Sequence, residues 1–480
     1  MKWWRTIVLG CTALSALPAT VHTAAAQALR PDQSEFRALY KELVETDTSI
    51  TTGSCTALAD KVEIRLRAAG FTDGEITRFA VPGHEKEGGI VVVLPGQSKI
   101  LKPMLLLGHL DVVVARREDW TRDPYKLIEE NGYFYGRGTS DMKAMDAIWI
   151  DMLSRFRRDH VKLGRTVKLA LTCGEETSTA FNGAQWLAHN RRDLIDAEFA
   201  LNEGGGGRTD KPIADGGKVI QQNFHVGEKV VANFRIEATN AGGHSSIPIR
   251  DNAIYELADA LGRLRDYDFP LMLNDTTRAY FSKLSESRHD AIGAARHTIV
   301  TAPIGSPDSL AAEKVLNTDR SIHSMLRTTC VATLLDGGHA NNALPQRAGA
   351  NINCRIFPGV SFADVHKTLE QVIADPKMTV IKTDDRGPQP IPPRLTPAIL
   401  GPAEKLVAKY YPGVPLVPGM STGATDGIYL EAVGIPSYGP PGSFGDPDGN
   451  GTHGLNERAY VRSVYTARDF LTDLVRAYAG

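Results

Sequence analysis

Seven side chains of the types that bind divalent metal ions recur along the chain in short polar stretches. His109 and Asp111 lie in GHLDVV, Asp141 in GRGTSDMK, Glu175 and Glu176 in TCGEE, Glu203 in NEGGG, and His453 in a late, glycine-crowded THG. Imidazole nitrogen and carboxylate oxygen both suit Zn²⁺, and a carboxylate can bridge two ions held roughly 3.5 to 4 Å apart. Taken singly, each residue has an ordinary reading, because loops at strand ends are often polar and solvated. Taken together they point to a two-metal hydrolytic site. A metal pair acidifies a water molecule, and a neighbouring carboxylate takes up the proton and later delivers it to the leaving group. Glu175 and Glu176 are the adjacent carboxylates from which such a group could come.

Such a cluster needs elements that bring distant segments to one place. Three nearly continuous apolar runs, residues 104–107, 167–171 and 199–201, read as central strands covered on both faces. The polar candidates follow each run immediately, where open α/β sheets gather ligands at the carboxyl ends of their strands. From about residue 227 the rhythm changes: strand (230–238), helix (252–265), two strands (328–335 and 349–357), helix (362–373) and strand (378–382). That is the split βαβ order of a small ferredoxin-like sandwich. The stretch 269–326 inside it is too long for a simple loop and is expected to hold helices of its own. A Pro-rich connection, residues 387–397, then leads into a helix near 403–410. The expected architecture is α/β: a discontinuous sheet domain over 29–226 and 385–480, interrupted by an inserted domain over 227–384.

The motifs GHLDVV, GRGTSDMK, TCGEE, NEGGG and THG resemble, in order and over nearly the whole chain, the metal-binding motifs of the aminoacylase, carboxypeptidase S and succinyl-diaminopimelate desuccinylase family of two-zinc metallopeptidases. The resemblance implies a zinc-peptidase sheet domain with a ferredoxin-like lid that also dimerises. It makes Asp141 the bridging carboxylate, with His109 and Glu203 completing one zinc site and Glu176 and His453 the other; mixed sites of this kind also accept Co²⁺ or Mn²⁺. Asp111 becomes the partner that accepts the second N–H of His109 and fixes its tautomer, and Glu175 becomes the general base that takes the water's proton and delivers it to the leaving amine. His244, in Gly242-Gly243-His244, resembles a lid histidine that stabilises the tetrahedral oxyanion, and the family arrangement implies a homodimer in which it reaches the neighbouring site. Arg355 resembles an arginine that clamps the substrate carboxylate in a bidentate fork. Asn342 and Gly423 resemble further substrate-contacting elements, although both types also serve ordinary turns.

The implied reaction is hydrolysis of an amide next to a free α-carboxylate, in a small peptide or an N-acyl amino acid. Two other readings are an aminopeptidase, which needs an acidic site for a free amine, and a non-catalytic peptide-binding protein, for which Glu175 has no use. The bulk composition agrees with a small-molecule substrate. Over 480 residues, 42% are hydrophobic and 23% charged, and the net charge is −2. Those values suit a globular protein of two or three units and give no reason to expect a nucleic-acid or membrane partner. Residues 1–28 read as an export signal, with a basic start, a short apolar stretch and small residues before the cleavage point, so a periplasmic or secreted protein is expected. Of five cysteines, Cys55, Cys173, Cys330 and Cys354 lie beyond that signal, and their spacing favours buried free thiols. A Cys330–Cys354 bridge is the one pairing that strand placement suggests.

Overall fold

The computed structural model describes residues 29–177, 181–383 and 388–480, so the expected export signal lies outside the described residues. Its main element is a ten-stranded mixed sheet. Four neighbours at its centre, Val167–Thr172, Met104–His109, Phe199–Leu201 and Ser437–Gly439, run parallel. His109 pairs with Thr172 and Leu106 with Leu201, so these strands end side by side. Every residue of Met104–His109 and Val167–Thr172 is buried, as continuous apolar runs in a doubly covered sheet must be.

Successive residues of these strands serve opposite faces. Leu106, Leu169 and Leu171 join a core built with helices Pro31–Glu45, Cys55–Ala68, Lys143–Arg158 and Val461–Ala479. Leu105, Leu107 and Ala170 pack on the other face against Ala184, Leu187 and Leu430. Fully burying a leucine side chain is worth roughly 1.5 to 3 kcal/mol, so this alternation fixes which strand ends open onto the same edge.

A second, four-stranded antiparallel sheet has the order Thr329–Gly337, Arg347–Ile356, Val230–Thr239, Met378–Lys382. Helices Ala253–Arg265 and Phe362–Ile373 supply Leu257, Ala260, Val365 and Leu369 to its buried face. The order is that of a split βαβ sandwich. Between its first helix and its second strand, residues 269–326 fold into four helices, Asp275–Glu286, Ala291–Thr301, Pro307–Leu316 and Arg320–Met325. They share a small core of Phe281, Ile299, Leu316 and Leu326.

The cysteines correct the expectation of free thiols, for all four are paired. Cys330 and Cys354 stand directly opposite each other in adjacent strands, with Cα atoms 4.1 Å apart. Cys55, at the start of its helix, reaches Cys173, just past strand Val167–Thr172, across 118 residues of sequence. Both pairings depend on register and packing that spacing along the chain does not reveal. Among the described residues, no helix is long and apolar enough to cross a membrane.

Candidate metal centre

His109 closes its strand, Glu175 and Glu176 follow Thr172 after a turn at Gly174, and Glu203 follows Leu201. Because the three strands are parallel neighbours, these side chains meet at one edge. Gly205, just past Glu203, must be glycine, since a Cβ there would lie 2.1 Å from the Pro440 carbonyl oxygen. Asp141 arrives from the turn that precedes helix Lys143–Arg158. His453 comes from a tight loop in which it takes a left-handed backbone conformation, φ 61°.

Asp141 stands between the two histidines. Its Oδ1 lies 3.2 Å from His109 Nε2 and its Oδ2 lies 3.1 Å from His453 Nε2. Glu203 Oε2 is 3.8 Å from His109 Nε2, and Glu176 Oε2 is 2.8 Å from His453 Nε2. The five candidate ligands therefore converge, in two half-sites that share Asp141. Two triads, His109–Asp141–Glu176 and His109–Glu175–Glu203, each have ligand atoms within 4.8 Å of one another.

The charges explain what such a cluster calls for. Burial opposes a charge on His109, yet the Asp141 and Glu203 carboxylates hold its imidazole well above the ordinary value. His453 is pushed up to about 10 by its bonds to Asp141 and Glu176. Glu175 is pushed up to about 10 by burial, reinforced by the nearby carboxylates of Glu203, Asp426 and Glu176. Burial raises Glu203 as well, and its Oε1 has no hydrogen-bond partner. Crowded carboxylates with an unsatisfied buried oxygen, facing two imidazoles, form a donor set that fits a pair of divalent cations.

The supporting contacts differ in part from the sequence expectation. His109 Nδ1 donates to the backbone carbonyl of Asp111 at 3.1 Å, whereas the Asp111 carboxylate is 3.8 Å away. The main chain thus fixes the tautomer, and the Asp111 carboxylate instead accepts the N–H of Glu176 at 3.0 Å. A residue that sequence reasoning missed is Glu457. Fully buried, it accepts the N–H groups of Gly138, Ser140 and Asp141 and pairs with Arg137 at 2.7 Å. It thereby holds the whole Asp141 turn. Asp426, also buried, accepts from Asn182 Nδ2 and Thr172 Oγ1 at 2.6 and 3.2 Å, and burial pushes it up to about 7. Neither carboxylate has a signal in a single sequence beyond being a charged residue in a loop.

The remaining candidates lie elsewhere. His244 is exposed, in a two-residue strand that pairs with Ala343–Leu344, and its Nδ1 bonds Ser246 Oγ at 2.7 Å. Asn342 is its neighbour, since its carbonyl accepts the N–H of Ser245 at 3.0 Å. Arg355 sits near the end of strand Arg347–Ile356 beside Val231. Burial lowers its pKa, while the Glu228 carboxylate acts in the opposite sense. Gly423 belongs to the exposed turn before helix Gly427–Ala432, where its N–H donates to Ser421 Oγ. The same turn leans on Glu228, which accepts the N–H of Thr425 at 3.0 Å.

The chain is similar to several known proteins. Over 397 residues the chain is 25% identical to the N-fatty-acyl-amino acid synthase/hydrolase PM20D1 of Mus musculus, covering 80% of this chain and 75% of that protein. It is 26% identical to a probable carboxypeptidase S-like 2 of Dictyostelium discoideum, covering 79% and 72%. The fold superposes with a TM-score of 0.66 on an M20 family metallo-carboxypeptidase of Sulfolobus solfataricus, at 18% identity, over 94% of this chain and 100% of that one. The model of peptidase family M20/M25/M40 matches residues 105–477, and the chain belongs to that family.

Proposed function

We propose that this metal-dependent hydrolase uses two zinc ions to cleave an amide bond next to a free α-carboxylate, in a dipeptide, a peptide C-terminus or an N-acyl amino acid. The observation that carries the reading is the position of Asp141, with one carboxylate oxygen toward His109 and the other toward His453. His109, Asp141 and Glu203 would hold one ion; Asp141, Glu176 and His453 would hold the other. Such ions, when bound, polarise the scissile carbonyl and acidify the attacking water.

The protein's own groups supply the rest. Glu175 is half-buried at the edge of the cluster, the right place for a carboxylate that, ionised once bound cations offset the charge of its neighbours, takes the proton of the attacking water and returns it to the leaving nitrogen. Water adds to the carbonyl carbon, the C–N bond breaks, and the products are a carboxylic acid and an amine. His244 is an exposed donor suited to the developing oxyanion, and Arg355 carries the fork of donors that a substrate carboxylate requires. The family names fit this class: one relative is named for N-fatty-acyl-amino acids and another as carboxypeptidase S-like.

The test is metal analysis of the purified protein, followed by hydrolysis of dipeptides and N-acyl amino acids, each with a free and an amidated carboxyl group. Two equivalents of zinc and a strong preference for the free carboxylate are expected. Indifference to amidation would count against Arg355 as the anchor and favour an aminopeptidase.

A further inference from the structure

A cavity of about 430 Å³ lies at the end of the main sheet opposite the metal centre. Arg165, Glu198 and Pro436 line it, each just before a central parallel strand begins, whereas the candidate ligands follow the ends of such strands. Phe199, also in the lining, precedes Glu203 by four residues, roughly 13 Å of extended chain. Helices Pro397–Tyr410 and Val461–Ala479 contribute Ile399 and Tyr478, and the Pro-rich connection contributes Pro393. That connection is tied down where it passes Gly227, since a Cβ on Gly227 would come within 3.2 Å of Pro393 Cδ. The size falls in the range of small-molecule sites, roughly 300 to 1,000 Å³.

Glu431 lines this cavity and is only 3% exposed. Its backbone carbonyl already accepts the N–H groups of Gly434 and Ile391, at 3.0 and 3.4 Å, so what it offers the cavity is its carboxylate. Among the described residues that carboxylate has neither a hydrogen bond nor an ion pair. Burial and repulsion from Glu228 both disfavour its ionised form. The other charges of the wall are answered. Arg165 pairs with Glu198 and donates to the Lys102 carbonyl at 2.6 Å, although its Nε keeps no acceptor. Tyr438 and Tyr478 donate their hydroxyls to the carbonyls of Arg394 and Ile399, and Arg394 itself is exposed. The unmatched buried group of the cavity is therefore an acid.

We infer that this cavity is a second ligand site, separate from the metal centre, and that it takes an organic ammonium with an apolar or aromatic body. A buried carboxylate without a partner is costly, and a cation that bonds to it removes that cost. A metal ion does not fit, because metal sites gather four or more ligands, whereas Glu431 offers a single carboxylate. A primary ammonium needs few acceptors, and its carbon body meets Phe199, Tyr438, Ile399 and Pro402. Aromatic rings add to the attraction when a cation lies over their faces. A ligand held here touches the connection that returns the chain from the inserted domain and none of the groups proposed for amide hydrolysis, so the site stands whether or not that reading does.

The experiment is calorimetric titration of the metal-loaded protein with three probes of one shape: phenethylamine, an ammonium at neutral pH, the uncharged 2-phenylethanol, and the anionic 3-phenylpropionate. The amine is expected to bind at about one per chain and at least tenfold more tightly than the alcohol, as a charge-assisted hydrogen bond to a buried carboxylate provides. The anion should bind most weakly. Glu431→Gln keeps the shape and removes the charge, so it should bring amine and alcohol to similar affinity while metal content is unchanged. Ala398→Trp, at an exposed position of the lining, should weaken the amine at least tenfold and gives the same decision if Glu431→Gln does not fold, as judged by its melting temperature. No amine binding, equal affinity for amine and alcohol, or tighter binding of the anion overturns the inference. Amine binding unaltered by both variants overturns it as well, because the amine would then sit elsewhere, as on the metal pair.

Discussion

The Asp111 carboxylate accepts the backbone N–H of Glu176 at 3.0 Å, tying the residue two places beyond His109 to a candidate ligand of the other half-site. Asp111 is itself buried, so its removal leaves an amide N–H without a partner and frees the turn that aims Glu176. Asp111→Ala is expected to lower metal affinity or turnover by about 10- to 100-fold, the usual effect of losing a group that orients a ligand. Asp111→Asn retains an acceptor oxygen and should lose less. Zinc titration and kcat measured on both variants check this, and equal losses would show that charge, not the hydrogen bond, is what matters.

Glu175 separates binding from chemistry. It is adjacent to Glu176 but has no place among the five proposed ligands, so Glu175→Gln should keep its metal while turnover falls about 10²- to 10⁴-fold, the range for a lost proton-transfer group. Metal content and kcat measured on one preparation decide it: full activity removes Glu175 from the mechanism, and loss of metal would place it among the ligands.

The Cys55–Cys173 bridge ends two residues before Glu175. Replacing both cysteines by serine should lower stability by about 2 to 4 kcal/mol, as expected for a long closed loop, and should reduce turnover as the Glu175–Glu176 turn loosens. The Cys330–Cys354 bridge lies within the second sheet, so its removal should lower the melting temperature with a smaller effect on kcat. Thermal melts and kinetics of the two double variants compare them directly. Equal kinetic losses would refute a positioning role for the first bridge.

How far the site can be read from the chain follows from what holds each residue. Apolar runs announced the central strands, and because parallel strands end together, His109, Glu176 and Glu203 could be placed from the residues that follow those runs. Asp141 and His453 sit in irregular loops; their glycine-rich motifs drew attention, but no periodicity located them. Glu457 carries no local signal, because it accepts three N–H groups of a turn more than 300 residues away in sequence. Asp111 meets a similar limit, since a two-residue spacing cannot tell whether its carbonyl or its carboxylate faces the imidazole. The disulfides needed strand register in one case and helix-to-strand packing in the other.

Lys229 gives a prediction far from the metal chemistry. It is fully buried where strand Val219–Glu228 passes into Val230–Thr239, and its ammonium donates to the Ser324 carbonyl and Thr329 Oγ1, both at 3.0 Å. Burial, with repulsion from Arg355 and Arg327, pushes its pKa down to about 7. In the unfolded chain a lysine titrates near 10.4. Between those values the unfolded state holds a proton that the folded state lacks, so stability contributed by this site rises with pH across the window and is flat below it. Lys229→Met removes the titration. The unfolding free energy of the wild type, measured against that of the variant by denaturant titration, should therefore climb as pH rises from 7 to 10, with a limiting slope of about 1.4 kcal/mol per pH unit. Parallel curves for the two proteins over that range would mean that the folded protein keeps Lys229 charged.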